Sequence, residues 1–181
     1  MALVVEDGSG IANAESYASV SDADTYHSNM NATAWAAAAT PAKEAALRAA
    51  TVYIDGRYGA RFPGWKRTKD QALLWPRSGA VDASGWSIES TGALAVPSPL
   101  KRAVAHLAAT ALTTTLAPDV DRGGRIKSKS INAGQGAVGV ATEYESGAPI
   151  GTTYRTVDLL LAPLLGLVDS GGMRTVELVR A

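Results

Sequence analysis

The stretch YIDGRYGARFPGWKRTKDQALLWPR, residues 53–77, is the most distinctive part of this 181-residue sequence. We predict that it ends one helix, continues through a connecting loop and forms a short helix at about Lys69 to Leu74. Glycine and proline interrupt regular structure, because glycine is conformationally permissive and proline lacks a backbone N–H. The loop contains four of them, Gly56, Gly59, Pro63 and Gly64. We therefore interpret the stretch as a joint that turns the chain and is pinned to the core by Leu73, Trp75 and Pro76.

Residues 57–77, called the basic segment below, concentrate positive charge in a chain that is formally neutral. Its cations are Arg57, Arg61, Lys66, Arg67, Lys69 and Arg77, its single carboxylate is Asp70, and its aromatic residues are Tyr58, Phe62, Trp65 and Trp75. This mixture is typical of nucleic-acid binding, where guanidinium and aromatic groups meet phosphates and bases. It is also typical of protein interfaces, which are enriched in Arg and Trp. In a third interpretation the tryptophans cover a small core and the arginines are solvated.

The composition limits the class of protein. Hydrophobic residues make up 46% of the chain, but many are alanine, and only one Phe, four Trp and six Tyr supply large aromatic side chains. We expect a thin helical core that depends on neighbouring molecules for part of its stability. The absence of cysteine excludes disulfides and thiolate metal sites. No apolar run reaches the roughly 18 residues needed to span a bilayer, so we expect no membrane partner.

Helix signals dominate residues 1–117, which we predict to be a helical body. Ser19 or Ser21 is expected to cap a first helix that ends at about residue 29, and a helical turn begins at Thr33. Thr40-Pro41 and Ser98-Pro99 each combine a capping hydroxyl with a proline, and they predict helices over about 40–57 and 100–116. Residues 3–7 are expected to form a short edge strand. The fold class that follows is mainly α, a small helical bundle.

Residues 118–181 are predicted to form an extended C-terminal region with short β-strands and one further helix. It begins as a basic, glycine-rich arm that carries Arg122, Arg125, Lys127 and Lys129. Residues 137–145 alternate like a strand, residues 155–168 have a helical pattern in which Pro163 demands a kink, and residues 175–179 are a candidate last strand.

The motifs that carry chemistry are weak. Gly134-Gln-Gly136-Ala-Val-Gly139 matches GxGxxG, but a basic loop precedes it and a strand-like segment follows it, so we interpret it as a hairpin or loop. Asp24 and His27 are three residues apart, a spacing that more often belongs to surface or core structure than to a metal site. No nucleophile motif accompanies the two histidines, and we expect neither enzymatic activity nor a cofactor.

A set of linked motifs resembles the head–tail connector (adaptor, or head-completion) proteins of long-tailed bacteriophages. The resemblance is carried by Tyr17-Ala-Ser-Val20, Ala23-Asp-x-Tyr-His27, Trp35, Lys43-Glu-Ala-Ala-Leu-Arg-Ala-Ala-Thr51, Tyr53-Ile-Asp55, Arg57-Tyr-Gly59, Phe62-Pro-Gly64 and Gln71-Ala-Leu-x-Trp-Pro-Arg77. It covers about residues 3–117. Sequences of this kind often carry the label DnaT-like single-stranded-DNA-binding protein.

The resemblance implies a structural virion protein at the head–tail junction, made in the host cytoplasm. It implies a ring, usually of twelve copies, that docks on the portal protein, extends the channel for double-stranded DNA and binds a tail-completion (stopper) or tail-terminator protein. The alternative is a single-stranded-DNA-binding protein of phage replication, with the four aromatic residues of the basic segment as stacking platforms. The neutral net charge counts against that alternative.

The charge distribution also favours contact between copies. No Lys or Arg precedes Lys43, whereas five carboxylates lie in the first 24 residues. An acidic start followed by a basic middle suits head-to-tail contact between copies. The candidates for the interface or the DNA channel are Arg57, Arg61, Trp65, Lys66, Arg67, Lys69, Trp75, Arg77, Arg122, Arg125, Lys127 and Lys129.

Overall fold

A computed structural model describes residues 2–88, 96–117, 126–134, 137–144 and 153–165. The chain divides into two compact units, one formed by residues 1–114 together with 155–181 and the other by residues 115–154. The described residues are mainly α, as the sequence predicts. The predicted strand over residues 175–179 lies outside the described residues.

The larger unit contains five helices among its described residues, α1 Val20–Asn29, α2 Thr33–Ala37, α3 Thr40–Tyr58, α4 Ser98–Ala111 and α5 Arg155–Leu165. Helix α4 lies at the centre and packs against α1, α3 and α5. Its buried face presents Leu100, Val104 and Leu107, and the periodic apolar stripe explains why it does so. The helix predicted for about residues 155–168 is present as α5. It belongs to the same compact unit as the N-terminal helices.

The helix starts follow the sequence signals, with one correction. Ser19 caps α1 and forms a capping box with Asp22, in which each side chain accepts a hydrogen bond from the other residue's backbone N–H. Helices α3 and α4 begin at Thr40 and Ser98, but their caps are Ala39 and Pro97, which form no side-chain cap bond. The predicted capping hydroxyls are wrong because both residues already lie in the helix. The prolines at the first helical turn supply the start.

The edge strand predicted for residues 3–7 is present only as an isolated bridge, and a turn around a buried carboxylate follows it. Val5 makes a single parallel bridge with Ser16. Glu6 is buried, and its carboxylate accepts hydrogen bonds from the backbone N–H groups of Gly8, Gly10 and Ile11 at 2.8–2.9 Å. This carboxylate satisfies the donors of the turn at residues 8–11, whereas residues 4–6 pair with residues 15–16 through bonds from the Glu6 N–H to Ser16 at 2.9 Å and from the Glu15 N–H to Val4 at 2.8 Å.

The smaller unit contains an antiparallel hairpin of β3 Ile126–Gly134 and β4 Ala137–Tyr144. Strand β4 corresponds to the strand predicted for residues 137–145, whereas β3 lies in the segment predicted to be a basic, glycine-rich arm. Gly134 ends β3 and Gly139 lies in β4, so antiparallel strands carry the GxGxxG string. A dinucleotide fingerprint requires a helix after its glycines, so the hairpin interpretation is correct.

Candidate interaction surface

The basic segment is folded by a two-residue ladder between β1 Trp65–Lys66 and β2 Arg77–Ser78. A 3₁₀ turn, Gly59–Arg61, follows α3 and leads into it. Gly64 has a φ of +71°, and a Cβ there would collide with the carbonyl oxygen of Ser78. Glycine is therefore required at this position, where two backbone segments approach closely.

Arg77 fastens the end of the basic segment to the loop at Pro63 and Gly64. Its guanidinium donates to the carbonyl oxygens of Pro63 at 2.7 Å and Gly64 at 2.6 Å, with a longer bond of 3.4 Å to Leu74. The planar fork of arginine allows one side chain to serve several acceptors. Burial lowers the pKa of Arg77, although nearby Tyr17 and Asp55 oppose that shift. Arg77 therefore stabilises the loop from within.

The short helix predicted for residues 69–74 is wrong. The amide of buried Gln71 accepts from the backbone N–H of Thr68 at 2.9 Å and donates to the carbonyls of Leu73 and Pro76 at 2.9 and 3.0 Å. Lys66 Nζ donates to the Gln71 carbonyl at 2.9 Å. These side chains bind backbone groups that a helix would have paired internally, so the segment is irregular.

A buried polar network joins the basic segment to α3 and to the N-terminal region. The Tyr17 hydroxyl donates to Asp55 Oδ1 at 2.6 Å and accepts from the Trp75 N–H at 3.0 Å, while Leu74 N–H donates to Asp55 Oδ2 at 3.1 Å. Burial raises the pKa of Asp55, and the hydrogen bonds from Tyr17 and Leu74 oppose the shift. Burial also raises the pKa of Tyr17, helped by the charge of Asp55. The network fixes where the segment meets the core.

Three of the four aromatic residues in the basic segment are core residues. Tyr58, Phe62 and Trp75 are 1%, 4% and 2% exposed, and the rings of Phe62 and Trp75 meet edge to face with centroids 5.9 Å apart. The Tyr58 hydroxyl donates to Asp158 Oδ1 at 2.6 Å and thereby ties α3 to α5. Trp65 is 66% exposed. Base stacking on this segment in the folded monomer would therefore have a single platform.

The predicted site residues separate into distinct groups. Arg57, Arg61, Arg67 and Lys69 are exposed, and the Arg61 guanidinium lies 5.9 Å from the centre of the Tyr58 ring. Lys66 and Arg77 are half-buried and bind backbone carbonyls within the segment. Lys127 and Lys129 lie on β3, where Lys129 pairs with Thr142. Arg122 and Arg125 lie outside the described residues.

Two carboxylates of the acidic N-terminal part, Glu15 and Asp24, form ion pairs with basic residues of α3. Asp24 Oδ1 accepts from Lys43 Nζ at 2.8 Å and from Trp35 Nε1 at 2.7 Å, and these bonds lower the pKa of Asp24, Lys43 contributing most. Glu15 pairs with Arg48 at 2.9 Å, which lowers the pKa of Glu15. Glu15 and Asp24 nevertheless keep 38% and 48% of their side-chain area exposed.

Both histidines serve packing between α1 and α4. His27 is buried, its Nε2 lies 2.8 Å from the Ala105 carbonyl oxygen, and its ring stacks on Trp35 at 4.7 Å. Burial lowers the pKa of both His27 and His106. Within the described residues, no group of three or more His, Asp or Glu side chains is arranged to hold a metal ion.

The sequence reasoning missed two surface features. One is a turn at residues 80–88, in which Asp82 Oδ1 accepts from the backbone N–H of Ser84 and Trp86 at 2.8 and 2.9 Å, and which leaves Trp86 73% exposed. The other is an open cavity of about 370 Å³ between α1 and α2. The Asp-Ala-Ser-Gly sequence was a local signal for the turn, whereas no local signal could have revealed the cavity.

The comparisons with known proteins identify the family. A family profile described as "Putative DnaT-like ssDNA binding protein" matches residues 1–181. The chain belongs to this family. No curated protein and no solved structure matches this chain. In the part of the chain that the structure describes, no helix is both long enough and apolar enough to cross a membrane.

Proposed function

We propose that the protein is a structural virion protein that forms a ring between the capsid portal and the tail, extends the DNA channel and docks the tail-completion protein. The observation that carries this proposal is the construction of the basic segment. Tyr58, Phe62 and Trp75 are buried, and Arg77 is committed to backbone carbonyls. The segment is thus a rigid joint, and a pre-organised surface reduces the entropy lost when a protein partner binds.

Charge supports a protein partner more than a dedicated nucleic-acid site. The chain is formally neutral, whereas dedicated binders carry a clear basic excess. The exposed cations of the basic segment, Arg57, Arg61, Arg67 and Lys69, are suited to an acidic protein surface. In a ring of twelve copies they are equally suited to a channel wall along which double-stranded DNA moves without sequence-specific contact.

Electron microscopy of the portal mixed with this protein tests the proposal directly. The expected result is an added ring of density below the portal, continuous with its channel, and portal alone serves as the control. A portal that shows no added density over a range of protein concentrations would refute the connector function. The same preparation mixed with tail-completion protein should acquire a second layer only when the first ring is present.

A second candidate function is single-stranded-DNA binding in phage replication, favoured by the family description. Trp65 is exposed next to the basic residues Lys66 and Arg67, and one stacked base contributes about 1–3 kcal/mol. Fluorescence anisotropy with a labelled single strand separates the two functions. The connector proposal predicts weak binding. The logarithm of the binding constant should fall by about 0.7 per phosphate contact for each tenfold rise in salt concentration. A tight complex that survives physiological salt and is lost in Trp65→Ala would favour the second function.

A further inference from the structure

Trp65 is an exposed aromatic residue that is nevertheless held in place. It is 66% exposed and lies on β1, opposite Ser78 of β2. One side of its ring rests on Gly79, where an added Cβ would come within 2.7 Å of two ring carbons. Because its own chain supports the ring, little side-chain entropy remains to be lost when a partner covers it. Fixed, exposed tryptophans of this kind are frequent anchors of protein interfaces.

The open cavity between α1 and α2 has the dimensions for such an anchor. Its volume is about 370 Å³, and it is lined by Asp24, His27, Ser28, Trp35, Ala36 and Lys43, among others. A protein cavity of about 150 Å³ accommodates benzene, so this one has room for the larger indole ring. Its exposed lining offers the Ala36 methyl group, the Ser28 side chain and the carboxylate of Asp24 to the ring, while Trp35 and His27 are buried beneath them.

The charges at the two places are complementary. At the cavity, Lys43 keeps only 11% of its side-chain area exposed, since it is covered by Asp24 and lies 5.5 Å from the centre of the Trp35 ring. Asp24 keeps 48% exposed, so the cavity presents mainly negative charge to solvent. Arg67 lies two residues after Trp65 and is exposed, whereas Lys66 is half-buried and binds the Gln71 carbonyl. A tryptophan with an exposed arginine nearby would therefore enter a cavity edged by a carboxylate.

From these features we propose that Trp65 of one copy inserts into the α1–α2 cavity of a second copy. The contact rests on the proposed ring and supplies its subunit interface. Anchor and cavity are different parts of the surface, so the contact is heterologous, and a heterologous contact generates a ring when the rotation between copies closes. Each copy then contributes one tryptophan and one cavity, and no copy is left with an unfilled site.

Two complementary variants test the contact by sedimentation velocity. Trp65→Ala removes the anchor and keeps the cavity, while Ala36→Trp fills the cavity from its own edge and keeps the anchor. Ser28→Trp is a second cavity variant, and Trp86→Ala, which removes another exposed tryptophan, is the matched control. Thermal unfolding of each variant shows which are folded. The wild type and Trp86→Ala should self-associate with rising concentration, and each anchor or cavity variant alone should do so about 30-fold more weakly or worse.

An equimolar mixture of Trp65→Ala and Ala36→Trp decides the matter, because only one productive contact remains between them. The expected species is a one-to-one dimer that grows no further.

A wild type that stays monomeric at every attainable concentration, or a folded Trp65→Ala that associates like the wild type, would overturn the inference. So would a Trp65→Ala variant whose only defect is lost oligonucleotide binding, since nucleic acid would then be the occupant. A ring on the portal that persists in Trp65→Ala would overturn this contact and leave the connector function standing. Trp65-dependent association without a ring on the portal would support this contact and refute the connector function.

Discussion

Arg77→Lys separates the internal role of Arg77 from a role in charge-based binding. The substitution keeps the positive charge that a phosphate or an acidic partner would attract. It removes the planar fork that allows one side chain to bind the carbonyls of Pro63 and Gly64 together. A lysine ammonium is a compact point donor, so we expect it to keep one of these two bonds and to lose the other.

The magnitude follows from the geometry. A hydrogen bond to a charged group contributes about 1.5–3 kcal/mol when it is well formed. Arg77 makes two short bonds and one of 3.4 Å, and it is only half-buried, so water can replace part of what is lost. We therefore expect Arg77→Lys to reduce the free energy of unfolding by about 1–2 kcal/mol, which lowers Tm by roughly 2–8 °C for a chain of this size. Arg77→Met, which keeps no donor, should cost about 2–4 kcal/mol.

Urea unfolding followed by circular dichroism measures both values. Arg57→Lys is the matched control, because Arg57 is exposed in the last turn of α3, and surface changes of this kind usually stay within about 0.5 kcal/mol. If Arg77→Lys unfolds at the same urea concentration as the wild type, Arg77 does not organise the basic segment, and the joint interpretation fails. A fully stable Arg77→Lys with impaired DNA or portal binding would assign Arg77 to the binding surface.

Further predictions concern the buried polar groups. Tyr17→Phe leaves the Trp75 N–H and one oxygen of Asp55 unpaired, so we expect a loss of roughly 2–5 kcal/mol in urea unfolding; Tyr58→Phe removes one partly buried bond and should cost less. Equal effects of the two substitutions would contradict this account. Burial lowers the pKa of both histidines below the ordinary value of 6.5, so the unfolded chain binds more protons as pH falls. The free energy of unfolding should therefore be highest above about pH 6.5 and decrease as the pH falls below it. Histidine pKa values at or above 6.5, measured by NMR titration, would refute burial as the cause. Glu6→Gln keeps one acceptor oxygen but places an N–H₂ group against backbone N–H donors of the turn at residues 8–11, so we expect it to lower Tm, whereas Asp7→Asn at the exposed neighbouring position should not.

Sequence patterns were sufficient for the helical framework. Ser19, Pro41 and Pro99 mark helix starts through capping and through a fixed φ, both of which act within a few residues. The apolar spacing along α3 and α4 likewise indicates which face of each helix is buried. These signals are local, and the corresponding helices begin within a residue or two of the predicted positions.

The sequence could not distinguish Trp65 from Trp75, which lie in the same basic segment and have the same side chain. Trp75 is 2% exposed, its ring packs against Phe62, and Tyr17, 58 residues away in sequence, binds its backbone N–H, whereas Trp65 is 66% exposed. The failure of the helix predicted for residues 69–74 has the same origin, since the Ala72 N–H donates to the distant Ile11 carbonyl and the Leu74 N–H donates to Asp55 of α3. The sequence by itself determined the helices, because helix propensity, caps and periodicity are short-range. Only the tertiary structure decided which cations and aromatic rings reach the surface, because burial depends on contacts between residues far apart in the chain.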